Sequence, residues 1–93
     1  LAWMALMEKY KRTDKKPGKI DGMTPEQRFF LGFAQVWCEN SSEASRVSLA
    51  KRDPHSPGKY RVMGTIRNMP EFAEAYQCKA GQFMAPVKRC KSW

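Results

Sequence analysis

Histidine is nearly absent from this chain: there is one imidazole, His55, in 93 residues. A hydrolytic metal site built on H-E-x-x-H needs two, so these residues do not contain one. Long apolar runs are missing as well. The longest are a few residues, far short of the ~20 that a membrane-spanning helix requires. The opening LAWMALM is apolar, but no basic segment precedes it and no small-residue cleavage site follows, so it does not read as a signal peptide. Leu1 stands where a native chain would start with Met, and it already lies in a helix-like pattern. We read that end as a cut, made by truncation or processing. Cysteine is sparse: Cys38, Cys78 and Cys90. An odd number cannot all pair with each other, and three are too few for a small secreted disulfide scaffold. There is no C-x-x-C pair, and a Cys3His site using His55 has gaps that do not fit a usual zinc finger. Internal repeats and low-complexity tracts are also lacking.

What is present suits one small domain and not two: the chain is 42% apolar. The net charge is +8. Its densest cluster is Lys9, Lys11, Arg12, Lys15, Lys16 and Lys19, which coincides with Asp14, Pro17 and Gly18. That combination reads as a solvated linker on a piece whose acidic half lies elsewhere. A rival reading is a stand-alone basic module that holds nucleic acid or an anionic partner. Such a module interleaves its cations with exposed aromatic platforms, whereas most aromatics here fall into apolar stripes.

The periodicity predicts a mainly α fold of several short helices, with a Pro/Gly-framed loop and one short extended segment. Residues 1–11 read as a helix, with Leu1, Met4, Ala5 and Tyr10 on a shared face and Trp3 and Met7 as further candidates for it. Residues 12–23 carry Pro17, Gly18 and Gly22 and read as a loop. Thr24-Pro25-Glu26-Gln27 is a capping box with proline at the first helical position. The helix it opens bears two adjoining stripes, Phe29/Phe33/Val36 and Phe30/Ala34/Trp37/Cys38, with Leu31 outside both. A surface helix needs only one stripe. This one expects neighbours on several sides, more than 93 residues can supply. Ser41-Ser42-Glu43 starts another helix that stops at Pro54. Residues 59–66, with Tyr60, Val62 and Ile66, read as the extended segment. Asn68-Met69-Pro70-Glu71 is a second cap, for a helix holding Phe72, Ala75 and Tyr76 and ending near Gly81. The tail QFMAPVKRCKSW has no period and reads as irregular, pinned by Cys90 and by burial of Trp93.

The histidine sits in RDPHSPGKYR, between Pro54 and Pro57. Ser56-Pro57-Gly58-Lys59 fits a type II turn. The turn would bring the following segment back past His55, with Lys59 and Arg61 on one side of a strand. His55 and Arg61 would then face one cleft, and the prolines reduce the freedom lost in holding them there. Fixed donors of this kind stabilise developing negative charge. Asp53 is placed to accept from the imidazole and set its tautomer. The same residues also fit a surface loop with a common Pro-Gly turn, and Asp53 equally fits a helix end.

Three stretches, DGMTPEQRFFLGFAQVWC, DPHSPGKYRVMGTIRNMPEFAEAYQC and the closing CKSW, together resemble the C-terminal part of the neprilysin-type zinc metallopeptidases. The match runs over residues 1–93 and is strongest from Asp21 onward. The resemblance implies that residues 1–93 are the C-terminal part of a larger helical catalytic domain, without its zinc-binding helices. It implies a zinc metalloendopeptidase that hydrolyses short peptides. His55 would stabilise the tetrahedral intermediate, Asp53 would orient the imidazole, and Arg61 would hydrogen-bond the substrate backbone. Cys38, Cys78 and Cys90 would each pair with a cysteine outside this stretch, which places the parent outside the cell, at its surface or in the periplasm. Zinc would be held by ligands elsewhere in the parent, with none bound by these residues and no peptidase activity from them alone. The implied partners are a peptide substrate and the upstream part of the same domain, with neither nucleic acid nor membrane contact from this segment.

Overall fold

Five helices carry residues 1–90, the part described by the computed structural model: α1 (Ala2–Thr13), α2 (Pro25–Val36), α3 (Glu43–Arg52), α4 (Gly58–Ile66) and α5 (Pro70–Ala75). The fold is mainly α, and the only β pairing among the described residues is an isolated bridge, Ile20 to Met23. No helix of these residues is long and apolar enough to cross a membrane.

α2 is the hub, and its start follows from the sequence. Thr24 Oγ1 accepts the Gln27 backbone N–H at 3.2 Å, and Gln27 Oε1 accepts the Thr24 N–H at 3.0 Å. Two orphan amides are satisfied reciprocally, an arrangement in which the cap alone contributes ~1 kcal/mol. The capping glutamine does a second job. Its Nε2 donates to Ala75 O at 3.0 Å, and the Tyr76 hydroxyl donates to Gln27 O at the same distance, so the start of α2 is tied to the end of α5.

The core is aromatic. Phe30 is 2% exposed. Trp3 of α1 stacks on it at 5.1 Å, while Phe29 and Phe72 meet it edge-on at 5.3 Å each. Rings in these arrangements gain ~0.5–1.5 kcal/mol per pair beyond the area they bury. Trp3, Leu6, Met7 and Tyr10 form the half-covered face of α1, at the 3-4 spacing of a helix. Leu1 and Met4, which the sequence placed on that face, are 84% and 65% exposed. The face is rotated because docking is set by Trp3 reaching Phe29 and Phe30, not by the number of apolar residues on each side.

The loop after α1 is shorter than expected. The helix runs to Thr13 and closes on Asp14 in the left-handed region. Ile20 and Met23 then exchange both backbone hydrogen bonds around Asp21 and Gly22, at φ 50° and 74°. Positive φ at both central residues is what a two-residue Asp-Gly hairpin turn requires. Arg28 of α2 holds this turn through Gly18 O and Met23 O. The six clustered cations are exposed, and Lys16 pairs with Glu26.

Two expectations downstream are corrected. Residues 59–66 are helix, not an extended segment. Tyr60, Val62 and Ile66 do alternate, but Tyr60 is 61% exposed while Ile66 is 3% exposed, so they share no face. Val62 and Ile66 are instead one helical turn apart, half-buried and buried, on a helix that packs against α2, and that packing overrides the local β preference. The type II turn is also absent. Gly58 has no positive φ and begins α4, with Pro57 as its N-cap. Lys59 and Arg61 therefore point to different sides of a helix.

The second cap differs too. Met69, not Asn68, is the N-cap of α5, with no side-chain cap bond. Asn68 donates to Gly64 O at 2.7 Å and accepts the Cys90 N–H at 2.8 Å, which ties the tail to the end of α4. α5 stops at Ala75 rather than near Gly81, because Gln77 turns left-handed and Cys78 N–H closes on Ala73 O. The expected burial of Trp93 lies outside the described residues.

Among the described residues the buried apolar ones are Phe30, Ile66 and Ala85, with Pro25 at the start of α2. The radius of gyration is 15.7 Å, against ~12 Å for a compact domain of this length.

Candidate functional site

The single histidine sits between α3 and α4. α3 is capped at its start by Ser42, whose hydroxyl accepts the Ser45 N–H, and at its end by Asp53. Asp53 has extended backbone, as a residue before proline must. Its carboxylate turns onto the next segment. Oδ1 accepts the His55 backbone N–H at 2.9 Å and lies 2.8 Å from His55 Nδ1. These two contacts close a tight Asx turn that fixes both main chain and ring.

The contacts act on Asp53 as charge-stabilising donors. The His55 backbone N–H, then its ring, hold the Asp53 carboxyl below its ordinary value of 3.8, with the Arg61 charge contributing in the same direction. Stability gained this way is present above the ordinary aspartate value and is lost as pH falls through the lowered one. With Nδ1–H given to Asp53, the outward Nε2 is an acceptor in the neutral ring. It becomes a donor only when the imidazole carries both protons. The His55 side chain is 65% exposed.

Arg61 lies in the first turn of α4. Its Nε donates to Ser56 O at 2.8 Å, which joins it to the histidine loop. Its guanidinium lies 4.5 Å from the Trp37 ring centroid, a cation–π contact. The start of α4 is pressed against the end of α2. The Gly58 N–H donates to Glu39 Oε1 at 3.0 Å, and a Cβ at Gly58 would stand 2.5 Å from Trp37 O. Only glycine fits there.

Of the residues read from the sequence, Asp53 and His55 are brought into direct contact, and Arg61 joins them through the Ser56 carbonyl. A cleft of ~760 Å³ opens beside them, lined by Trp37, Glu39, Val47, Gly58, Tyr60 and Met63 among others. Neither His55 nor Arg61 lines it. Cys38 and Cys90 are exposed, Cys78 is half-buried, and none is bonded to another. The sequence reading did not single out Glu39, which carries no motif. It took Trp37 only as part of an apolar stripe.

No group of three or more His, Cys, Asp or Glu side chains among the described residues is arranged to hold a metal ion.

The model of peptidase family M13 matches residues 1–92. Neprilysin-1 of Caenorhabditis elegans is 41% identical over 92 residues, 99% of this chain and 12% of that protein. Neprilysin-3 of Drosophila melanogaster is 46% identical over 79 residues, 85% of this chain and 10% of that protein. Endothelin-converting enzyme 1 of Cavia porcellus is 48% identical over 73 residues, 77% of this chain and 10% of that protein. The chain thus spans about a tenth of the length of these relatives. A likeness that runs through every described helix and the Asp53–Pro57 loop leads to one conclusion: this chain belongs to peptidase family M13, a family of metallopeptidases.

Proposed function

We propose that this chain is the C-terminal part of the catalytic domain of a zinc metalloendopeptidase that cleaves short peptides. The single observation that carries this reading is the Asp53–His55 pair, an exposed imidazole whose inner nitrogen is held by a carboxylate at 2.8 Å.

The chemistry follows from that geometry. Attack of water on a scissile carbonyl drives negative charge onto its oxygen. A donor fixed in advance at that oxygen lowers the barrier because it need not reorganise. Doubly protonated, His55 gives one N–H to Asp53 and the other to the oxyanion, and the Asp53 carboxylate balances the ring's charge. Arg61 presents a guanidinium to a backbone carbonyl of the peptide. Zinc belongs to the parent protein, with ligands outside this chain, so the 93 residues alone are inactive. Cys38, Cys78 and Cys90 pair with cysteines elsewhere in the parent, which works in an oxidising compartment. The exposed apolar residues Leu1, Met4, Val36 and Val87 mark where the upstream part of the domain packs.

The test is peptide hydrolysis by the intact protein and by residues 1–93 alone. The intact protein is expected to cut internal bonds of short peptides and to lose that activity to a metal chelator. Residues 1–93 with added zinc are expected to match buffer. Chelator-resistant hydrolysis by the intact protein, or hydrolysis by residues 1–93, contradicts the reading.

A further inference from the structure

The chain just after α2 reaches the start of α4 at three points. Glu39 accepts the Gly58 N–H, the Trp37 carbonyl fills the space where a Cβ would be, and the Trp37 ring lies under the Arg61 guanidinium. From these contacts we propose that Trp37 and Glu39 form a clamp that positions Arg61 for substrate, a role that rests on the reading of Arg61 as the peptide-binding group.

The need for a clamp comes from α4 itself. Its N-cap is Pro57, which has no side-chain acceptor to offer. A helix of nine residues with an uncapped start frays, and Arg61 lies within that first turn. Glu39 supplies the missing acceptor from outside the helix, and its charge suits a helix N-terminus. Trp37 then fixes the other end of the Arg61 side chain. A flat guanidinium held on a ring face by one surface, and through Nε by the Ser56 carbonyl, keeps its outer N–H groups in one plane. What Arg61 would otherwise lose in rotamer freedom on binding peptide is already lost. Both are positioning residues that act through Arg61.

The experiment measures kcat and KM for a short peptide with the intact protein carrying Arg61→Ala, Glu39→Ala, Glu39→Gln and Trp37→Leu. Glu39→Ala and Trp37→Leu are also combined with Arg61→Ala. Loss of an arginine hydrogen bond raises KM about tenfold or more. Glu39→Ala and Trp37→Leu are expected to raise KM about threefold to tenfold with a smaller change in kcat, because each removes only part of that preorganisation. Glu39→Gln keeps an acceptor oxygen and is expected to stay within about twofold of the parent. In the Arg61→Ala background both substitutions are expected to add less than about twofold, because residues acting through one group are not additive. A merely structural role would not produce that dependence on Arg61. The clamp is overturned if either substitution keeps its full effect without Arg61, or if Glu39→Gln is as impaired as Glu39→Ala. If Arg61→Ala itself leaves KM unchanged, the substrate-binding role of Arg61 fails, and the clamp falls with it.

Discussion

On the proposed role of His55, His55→Ala in the intact protein is expected to lower kcat by about 100- to 1,000-fold and leave KM within a few-fold, the loss that follows removal of one preorganised oxyanion donor. The size of the effect comes from what the ring does and does not do in the ground state. Among the described residues, His55 makes no hydrogen bond or ion pair to another helix. Its described partner is Asp53, two residues away, and its side chain is 65% exposed. Its removal is therefore expected to leave the fold in place and, on the proposed role, to take away a donor that matters only once charge develops. An interaction made only in the transition state appears in kcat and kcat/KM equally. A parallel rise in KM, or a loss below tenfold, would assign the ring to substrate contact or to the surface instead. The check is steady-state kinetics of parent and variant on one peptide, with thermal unfolding midpoints that agree.

The second large effect is on stability. Phe30→Ala is expected to destabilise the domain by about 3–5 kcal/mol, as for other phenylalanines cut from a packed core. Phe30 is the one large side chain fully closed off among the described residues, and rings from α1, α2 and α5 converge on it. Without it, Trp3 loses its stacking partner and keeps its edge-on contact with Phe29 at 5.2 Å. The change is read as a lower unfolding midpoint and as faster amide exchange across Ala2–Thr13. Exchange in α1 unchanged from the parent would mean that α1 is held by something other than this aromatic cluster.

Local signals were the legible part of this fold. Thr24-Pro25-Glu26-Gln27 named its own helix start, because a capping box is written in four consecutive residues. Ser42 did the same for α3. The Asp53–His55 contact was also within reach of the sequence, since an aspartate two residues before a histidine reports only on its own turn. What failed depended on distant partners. Tyr60, Val62 and Ile66 alternate as a strand would. Nothing local says that the amide of Gly58 is taken by Glu39, 19 positions earlier, and that this starts a helix. Asn68 looks like a cap until Cys90, 22 positions later, claims its side-chain oxygen. The face of α1 was misjudged for the same reason, because Trp3 chooses Phe30 across the fold. The double stripe on α2 was read as needing many neighbours. Phe30 is covered, while Val36 is 73% exposed and Leu31 40%. That leaves the partner for those residues to the rest of the domain, in line with the proposal that the chain is one part of it.

The central claim is that His55, on the loop between α3 and α4, and Arg61, in the first turn of α4, address one peptide. The most direct measurement is the structure of the intact protein with a phosphinic peptide bound, whose tetrahedral phosphorus group stands in for the reacting carbonyl. The account places His55 Nε2 within hydrogen-bond distance of a phosphinyl oxygen and the Arg61 guanidinium on a backbone carbonyl of the same peptide, still resting on Trp37. A phosphinyl group bound elsewhere, with His55 turned to solvent, would contradict it.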